Sequence, residues 1–183
     1  EQTGENSVTL NTDENLHEYI LTEVDGNTLH VHVKDNYRLK PSTDNEVFIT
    51  FQNVDKIKAS AWGDIGSAST IEVENLRVDA SSGADIELSV RADRLIAHAS
   101  SGGSIELEGK ADACVLDVSS GADIDAENLV AQKVDAGASS GGGISVTAKK
   151  VLKADASSGG DIDCYGDPEN VRINESSGGD VDY

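Results

Sequence analysis

The stretch Ala80-Ser81-Ser82-Gly83-Ala84-Asp85-Ile86 decides the fold, because close copies of it recur along the chain. Each copy contains Ser-Ser-Gly, then two small or acidic residues, then a β-branched residue. The first serine of the triplet stands at positions 81, 100, 119, 139, 157 and 176, and a degenerate copy occupies residues 59–65. Repeats at such a period are typical of solenoids, whose units are stable only when stacked on their neighbours.

Within each repeat, apolar and polar residues alternate. Every second residue from 76 to 92 is Leu, Val, Ala or Ile, with Ser82 as the one polar member, whereas the residues between them are mostly charged or small and polar. A period of two places one series inside and the other in water. We therefore predict an all-β fold, a right-handed parallel β-helix of about six to seven coils with a repeat of ~19 residues.

Each predicted coil has a strand such as 76–80, the Ser-Ser-Gly corner, a second strand such as 85–90, and a polar turn such as 91–93. Glycine suits a sharp corner because it lacks a Cβ. The second serine of each triplet falls at an inward phase, where its hydroxyl is expected to bond corner backbone groups. The predicted structural corners are Ser82, Gly83, Ser101, Gly102, Ser120, Gly121, Ser140, Gly141, Ser158, Gly159, Ser177 and Gly178.

Residues 1–58 do not repeat and predict a small β-rich N-terminal cap, packed with the 59–183 repeat region as one structural unit. Strands are expected at 7–10 and 46–51, a helical turn at 13–19, and a hairpin around Asp25-Gly26-Asn27, where glycine tolerates the positive φ of a tight turn. Residues 35–45 are polar, contain Pro41, and predict a loop. We expect the cap to protect one end of the solenoid.

The chain is strongly acidic, with 34 acidic against 14 basic residues and a formal net charge of -20 over 183 residues. This charge disfavours nucleic acid or an anionic membrane surface as a partner. No apolar run approaches the ~20 residues that span a bilayer. Because the chain starts at Glu1 without Met, we expect a removed leader. Cys114 and Cys164 fall in different inward columns, which predicts two buried thiols and no disulfide.

Two outward columns beside the corner are rich in carboxylates. Stacked at about 4.8 Å they repel one another, and a hard divalent cation with oxygen ligands relieves such repulsion. The other interpretation is a solvated face that keeps the strands soluble. We expect no cofactor, with Ca²⁺ as the one alternative. The candidate ligands are Asp85, Asp123, Asp161, Asp180, Glu87, Asp125, Asp163 and Asp182.

The repeats do not predict an enzyme. A catalytic serine needs a base and an orienting acid that converge on it, but six equivalent corners indicate a structural role for serine. His98 is the only histidine among the repeats, and its column contains Asp79, Asp117 and Asp155. We expect His98 to pair with a neighbour on the surface. The coils also lack the long insertions that build a catalytic cleft.

The chain resembles the auto-transporter adhesin family with the head GIN domain, found in exported bacterial proteins. The resemblance lies in the repeats at 157–163 and 176–182, in Asp13-Glu14-Asn15-Leu16, and in the lead-in at 53–57. No Gly-Ile-Asn triad occurs, and the family pattern leads us to expect a further strand before Glu1. The resemblance implies a right-handed β-helix, a location in the periplasm, outer membrane or cell surface, and no catalytic residues.

Three functions are therefore open. The first is a non-catalytic, adhesin-like module that presents flat faces to a protein or glycan. The second is a structural or self-assembling envelope protein, joined into a homo-oligomer through the open end of the β-helix or a flat face. The third is a calcium-stabilised protein resembling a β-roll, although the calcium β-roll repeat has nine residues and a third glycine that this repeat lacks.

Overall fold

The computed structural model describes residues 1–37 and 45–183, which are mostly β-strand. Contacts divide the chain into two compact units, Thr3–Gln52 and Asn53–Tyr183, a boundary earlier than the predicted one at 58/59. That the cap and the repeats pack as one structural unit stays a prediction. Residues 38–44 of the predicted 35–45 loop lie outside the described residues.

The first unit consists of two strand pairs and a short 3-10 helix at Glu14–Tyr19. The strands are β1 (Ser7–Asn11), β2 (Ile20–Asp25), β3 (Thr28–Val33) and β4 (Glu46–Thr50). The antiparallel pairs are β1 with β4 and the hairpin β2 with β3, in which Gly26 has a φ of 57° at the turn. Leu16 and Ile20 are the unit's buried apolar residues among those described.

The second unit is a parallel β-solenoid of about seven turns, as the repeat predicts. Its strands are β5 (Lys56–Ser60), β6 (Asp64–Gly66), β7 (Ile71–Ser81), β8 (Asp85–Ser100), β9 (Ser104–Ser119), β10 (Asp123–Ser139), β11 (Gly143–Ser157), β12 (Asp161–Gly166), β13 (Asn170–Ser176) and β14 (Asp180–Asp182). The main ladder runs in the order β14-β12-β11-β10-β9-β8-β7-β5, while β6 pairs with β8 and β13 with β11.

The polar turn predicted at 91–93 is wrong. Strand β8 continues from Asp85 to Ser100, and its pairing with β9 includes Arg91 with Lys110 and then Arg94 with Ala113. The chain therefore bends inside the ladder, which keeps most backbone groups hydrogen-bonded through the change of direction. Polar composition alone does not distinguish such a bend from a turn.

The core consists of columns in which the same inward position repeats from coil to coil. Ile86, Ile105 and Ile124 stand one above another and are each at most 1% exposed. Burying one such side chain stabilises the fold by about 1.5–3 kcal/mol. Cys114 stacks between Leu95 and Val134, and both cysteines are buried and free, as the register of the repeats predicts.

Candidate binding surface

The surface of the solenoid is where recognition chemistry must lie, because the interior is apolar. Among residues 1–37 and 45–183, no polar or charged residue is buried. The surface carries four features: a ridge of corners, an acidic face after the corners, a face of mixed charge before them, and an aromatic residue at the first corner.

The corner ridge is built from pairs of residues with positive φ. Ser82 and Gly83 have φ values of 56° and 71°, and the amide of Ala84 donates to the carbonyl of Ser81 across 3.3 Å. Two central residues with positive φ are the pattern of a type I′ turn. Glycine meets this requirement without strain and serine meets it at a cost, and the same pair recurs at every later corner.

The expectation that the second serines point inward is wrong. Each of the six is exposed, whereas the flanking residues of the series, such as Ala80 and Ala84, are buried. Alternation of side chains requires extended backbone, and the two positive φ values interrupt it. Corner amides are paired by backbone instead, since Gly83 N donates to Ser101 O (3.3 Å) on the next coil. The exposed serines are Ser82, Ser101, Ser120, Ser140, Ser158 and Ser177.

The acidic face follows the corners and consists of two ladders two residues apart. The register places Asp85 over Asp64, and Glu106 over Glu87. In the part of the chain that the structure describes, none of these ladder carboxylates forms an ion pair with a basic group. The ladders contain Asp64, Asp85, Asp123, Asp161 and Asp180, and Glu87, Glu106, Asp125, Asp163 and Asp182.

Crowding in these ladders perturbs one carboxyl. Burial, followed by the charges of Asp161, Asp182 and Asp180, raises the pKa of Asp163. Within the described ranges, no group of three or more His, Cys, Asp or Glu side chains is arranged to hold a metal ion. The ladders therefore form a mostly negative surface, in which uncharged Ser104, Gly143 and Ser145 stand between carboxylates. Calcium binding there stays the alternative to a solvated face.

The mixed face lies on the strands before the corners, where ion pairs connect the coils. Asp79 contacts Lys56 Nζ at 3.2 Å and Arg77 Nη2 at 2.9 Å. Partial burial acts to raise the pKa of Asp79, but hydrogen bonds from Arg77 and Lys56 outweigh it and lower this pKa. Lys153 likewise binds Asp135 and Asp155, at 2.9 and 3.0 Å.

A shallow depression of about 380 Å³ interrupts the mixed face. Its floor is Gly137, which stands between Asp117 and Asp155 in the column that contains His98. His98 Nδ1 lies 3.2 Å from Asp117 Oδ2, so His98 is paired on the surface as predicted. Serines of the neighbouring column, including Ser100 and Ser119, line one side. The depression is open and polar.

The first corner differs from the others and was not recognised as a candidate site in the sequence. Ala61 and Trp62 have φ values of 55° and 64°, so Trp62 occupies the place that Gly83 takes in the next coil. Trp62 is 83% exposed. The signal was present in the sequence, because aligning residues 59–65 with the repeat places tryptophan at the position of the corner glycine.

Comparison with known proteins gives one family and several similar folds. The family described as "Putative auto-transporter adhesin, head GIN domain" matches residues 1–168. No curated protein matches the chain. No helix among the described residues is long and apolar enough to cross a membrane.

Three solved structures illustrate the fold. A "putative adhesin" from Bacteroides fragilis NCTC 9343 has a TM-score of 0.90 at 20% identity, covering 99% of this chain and 84% of that one. A "putative lipid binding protein" from Parabacteroides distasonis ATCC 8503 has a TM-score of 0.76 at 22% identity, covering 99% and 85%. A "putative adhesin" from Parabacteroides merdae ATCC 43184 has 0.73 at 19%, covering 96% and 82%. At these identities the similarity shows the fold.

Proposed function

Because the chain belongs to the family described as "Putative auto-transporter adhesin, head GIN domain", we propose that it is a non-catalytic recognition module of an exported bacterial protein. It acts in the periplasm, at the outer membrane or on the cell surface. Its solenoid faces bind a protein or a glycan. The family and the adhesin-like structures support this proposal.

The observation that carries the proposal is the continuity of the solenoid faces. Strands β8 and β9 keep residue-to-residue register over nearly their whole length, with a single residue skipped at the bend. The corners between β7 and β11 have three residues each, and the register shifts only within β10, between Ala126 and Val130 and between Ala131 and Lys133 against β11. Parallel ladders place equivalent outward positions about 4.8 Å apart, and so suit partners that are themselves extended or repetitive. A catalytic cleft encloses its substrate, whereas the depression over Gly137 is shallow and open.

Binding by matched surface variants tests this function. The labelled chain is applied to a glycan array and used to capture partners from an exported bacterial protein fraction. Glu106→Lys reverses a charge on the acidic face, and Asp117→Lys does so on the mixed face, at exposed positions that should leave the fold intact. We expect the wild-type chain to bind a glycan or a protein, and we expect one of the two variants to lose that binding. Absence of any partner, or turnover of an arrayed glycan, would contradict the proposal.

A further inference from the structure

We propose that Trp62 forms a carbohydrate-stacking platform at the first corner of the solenoid. The platform would take a neutral or amino pyranose of an oligosaccharide. This inference rests on the proposed function and deepens it, since it names the ligand class and the residue that receives it.

The position of Trp62 is the first reason. Every later corner has glycine there, at Gly83, Gly102, Gly121, Gly141, Gly159 and Gly178. A bulky residue with positive φ is a rare and strained arrangement. Trp62 adopts it with a φ of 64°, beside Ala61 with a φ of 55°. Strain that persists where glycine would relieve it is characteristic of functional positions.

The orientation of the indole is the second reason. A Cβ built on Gly83 would lie 3.0, 3.1 and 3.2 Å from Cε3, Cζ3 and Cδ2 of Trp62, so the ring rests on Gly83. The residue is nevertheless mostly exposed, which leaves indole surface free. A supported ring with free surface is the arrangement on which the apolar C–H face of a sugar packs.

The surrounding groups favour a sugar. The exposed hydroxyls of Ser82 and Ser101 lie on the same ridge, and the exposed carboxylates of Asp64 and Asp85 follow the Trp62 and Gly83 positions by two residues. Hydroxyls and carboxylates bind sugar hydroxyls by hydrogen bonds. The two carboxylates also disfavour acidic sugars, because like charges repel.

A protein partner fits less well. Protein interfaces are usually centred on a cluster of desolvated apolar anchors. In the described part of the solenoid unit, the other exposed large apolar side chains are Tyr165, Val171 and Tyr183. All three lie in the last coils, far along the stack from the first corner. Within the described part of the solenoid unit, Trp62 is thus a single aromatic side chain among polar groups.

Intrinsic fluorescence reads this site directly, because Trp62 is the only tryptophan of the chain. The whole chain is titrated with N-acetylglucosamine oligomers, cello-oligosaccharides and, as an acidic comparison, oligogalacturonate. We expect a saturable change in emission with at least one of the first two and none with the third. Calorimetry then compares the wild type with Trp62→Gly, for which we expect at least about tenfold weaker binding. Tyr165→Ala is the matched control and should bind as the wild type does.

Trp62→Gly should also fold and melt at or above the wild-type temperature, because glycine relieves the positive φ. A lower melting temperature would overturn the argument from strain. If Trp62→Gly binds an oligosaccharide as tightly as the wild type, the sugar binds elsewhere on the chain, so the inference about Trp62 fails while the proposed glycan recognition survives. If no oligosaccharide binds and Trp62 is instead required to capture a protein, the platform serves a protein and this inference fails, while the proposed function survives. If neither glycan nor protein binds, both fail.

Discussion

The indole of Trp62 lies against the Cα side of Gly83, close enough that a Cβ on Gly83 would sit 3.0 Å from the ring. Gly83 and Gly121 occupy equivalent corners with φ values of 71° and 64°. A Cβ on Gly121, by contrast, would meet no atom within 4 Å. The two glycines therefore share a backbone conformation and differ in whether an indole ring lies against them.

Gly83→Ala and Gly121→Ala should each lower the free energy of unfolding by about 1–2 kcal/mol, because a residue with a Cβ is strained at positive φ. Only Gly83→Ala should also displace the indole and change the emission spectrum of Trp62. Urea denaturation and native-state fluorescence measure the two effects. An unchanged spectrum in Gly83→Ala would contradict the contact between ring and corner.

Ser120→Ala and Ile124→Ala test which side of the corner faces water. Ile124 is 1% exposed in the isoleucine column, so its truncation should cost roughly 2–5 kcal/mol. Ser120 is exposed, and removal of its hydroxyl should change stability by less than about 0.5 kcal/mol. Thermal and urea unfolding measure both. If Ser120→Ala lowered the free energy of unfolding nearly as much as Ile124→Ala, the Ser120 hydroxyl would have to point inward and form a hydrogen bond.

Asp163→Asn removes one charge from the crowded acidic ladders. The pKa of Asp163 is raised in the folded chain by burial and by Asp161, Asp182 and Asp180, above an ordinary value of 3.8. A raised pKa means that the folded chain favours the protonated carboxyl. The contribution of protonated Asp163 to stability is therefore complete at a pH below the ordinary pKa, and it is lost as the pH rises through the pKa of the folded chain.

At pH 7 we therefore expect Asp163→Asn to exceed the wild type in stability, by less than ~1 kcal/mol. The difference should shrink as the pH falls toward 4. Asp112→Asn, an equal change of charge outside the ladders, is the control and should show a smaller gain. Urea unfolding across this pH range makes the comparison, and a gain that grows at low pH would reverse the sign argued here.

Chelation tests the calcium alternative. Calcium takes about six to eight oxygen ligands, and the described residues contain no cluster of three or more candidate ligands. We expect the chain to melt at nearly the same temperature in EDTA and in CaCl2. Any small rise in CaCl2 should also occur in NaCl of equal ionic strength, because both salts screen the ladder carboxylates from one another. A rise specific to Ca²⁺ that disappears in Asp125→Asn would establish a site on the acidic face.

Thiol reactivity tests the interior. Burial raises the pKa of the Cys114 thiol to about 12, and burial is also the largest cause of the raised pKa of Cys164. The thiolate is the reactive form, so Ellman's reagent at pH 8 should modify both thiols only after unfolding. The raised pKa of Cys114 stabilises the folded chain below pH 9.0, and this contribution is lost as the pH rises toward 12. Rapid native-state labelling of Cys114 would contradict the packed column.

The register of Leu95 with Cys114 and of Glu87 with Glu106 is the one predicted, because a constant repeat and a period-two pleat leave little freedom in stacking. The orientation of Ser82 was predicted wrongly, because that pleat does not continue through positive φ. The turn at 91–93 was also wrong, since polarity reports exposure and not the path of the backbone.

The sequence by itself determined the parallel solenoid, its columns and its acidic ladders. Each depends only on repeat length and alternation, which any coil of this period must obey. The tertiary structure alone decided that Trp62 rests on Gly83, that Lys56 reaches Asp79, and that a depression opens over Gly137. These depend on backbone dihedrals at single corners and on side chains meeting across neighbouring coils, and neither is written in the spacing of a repeat.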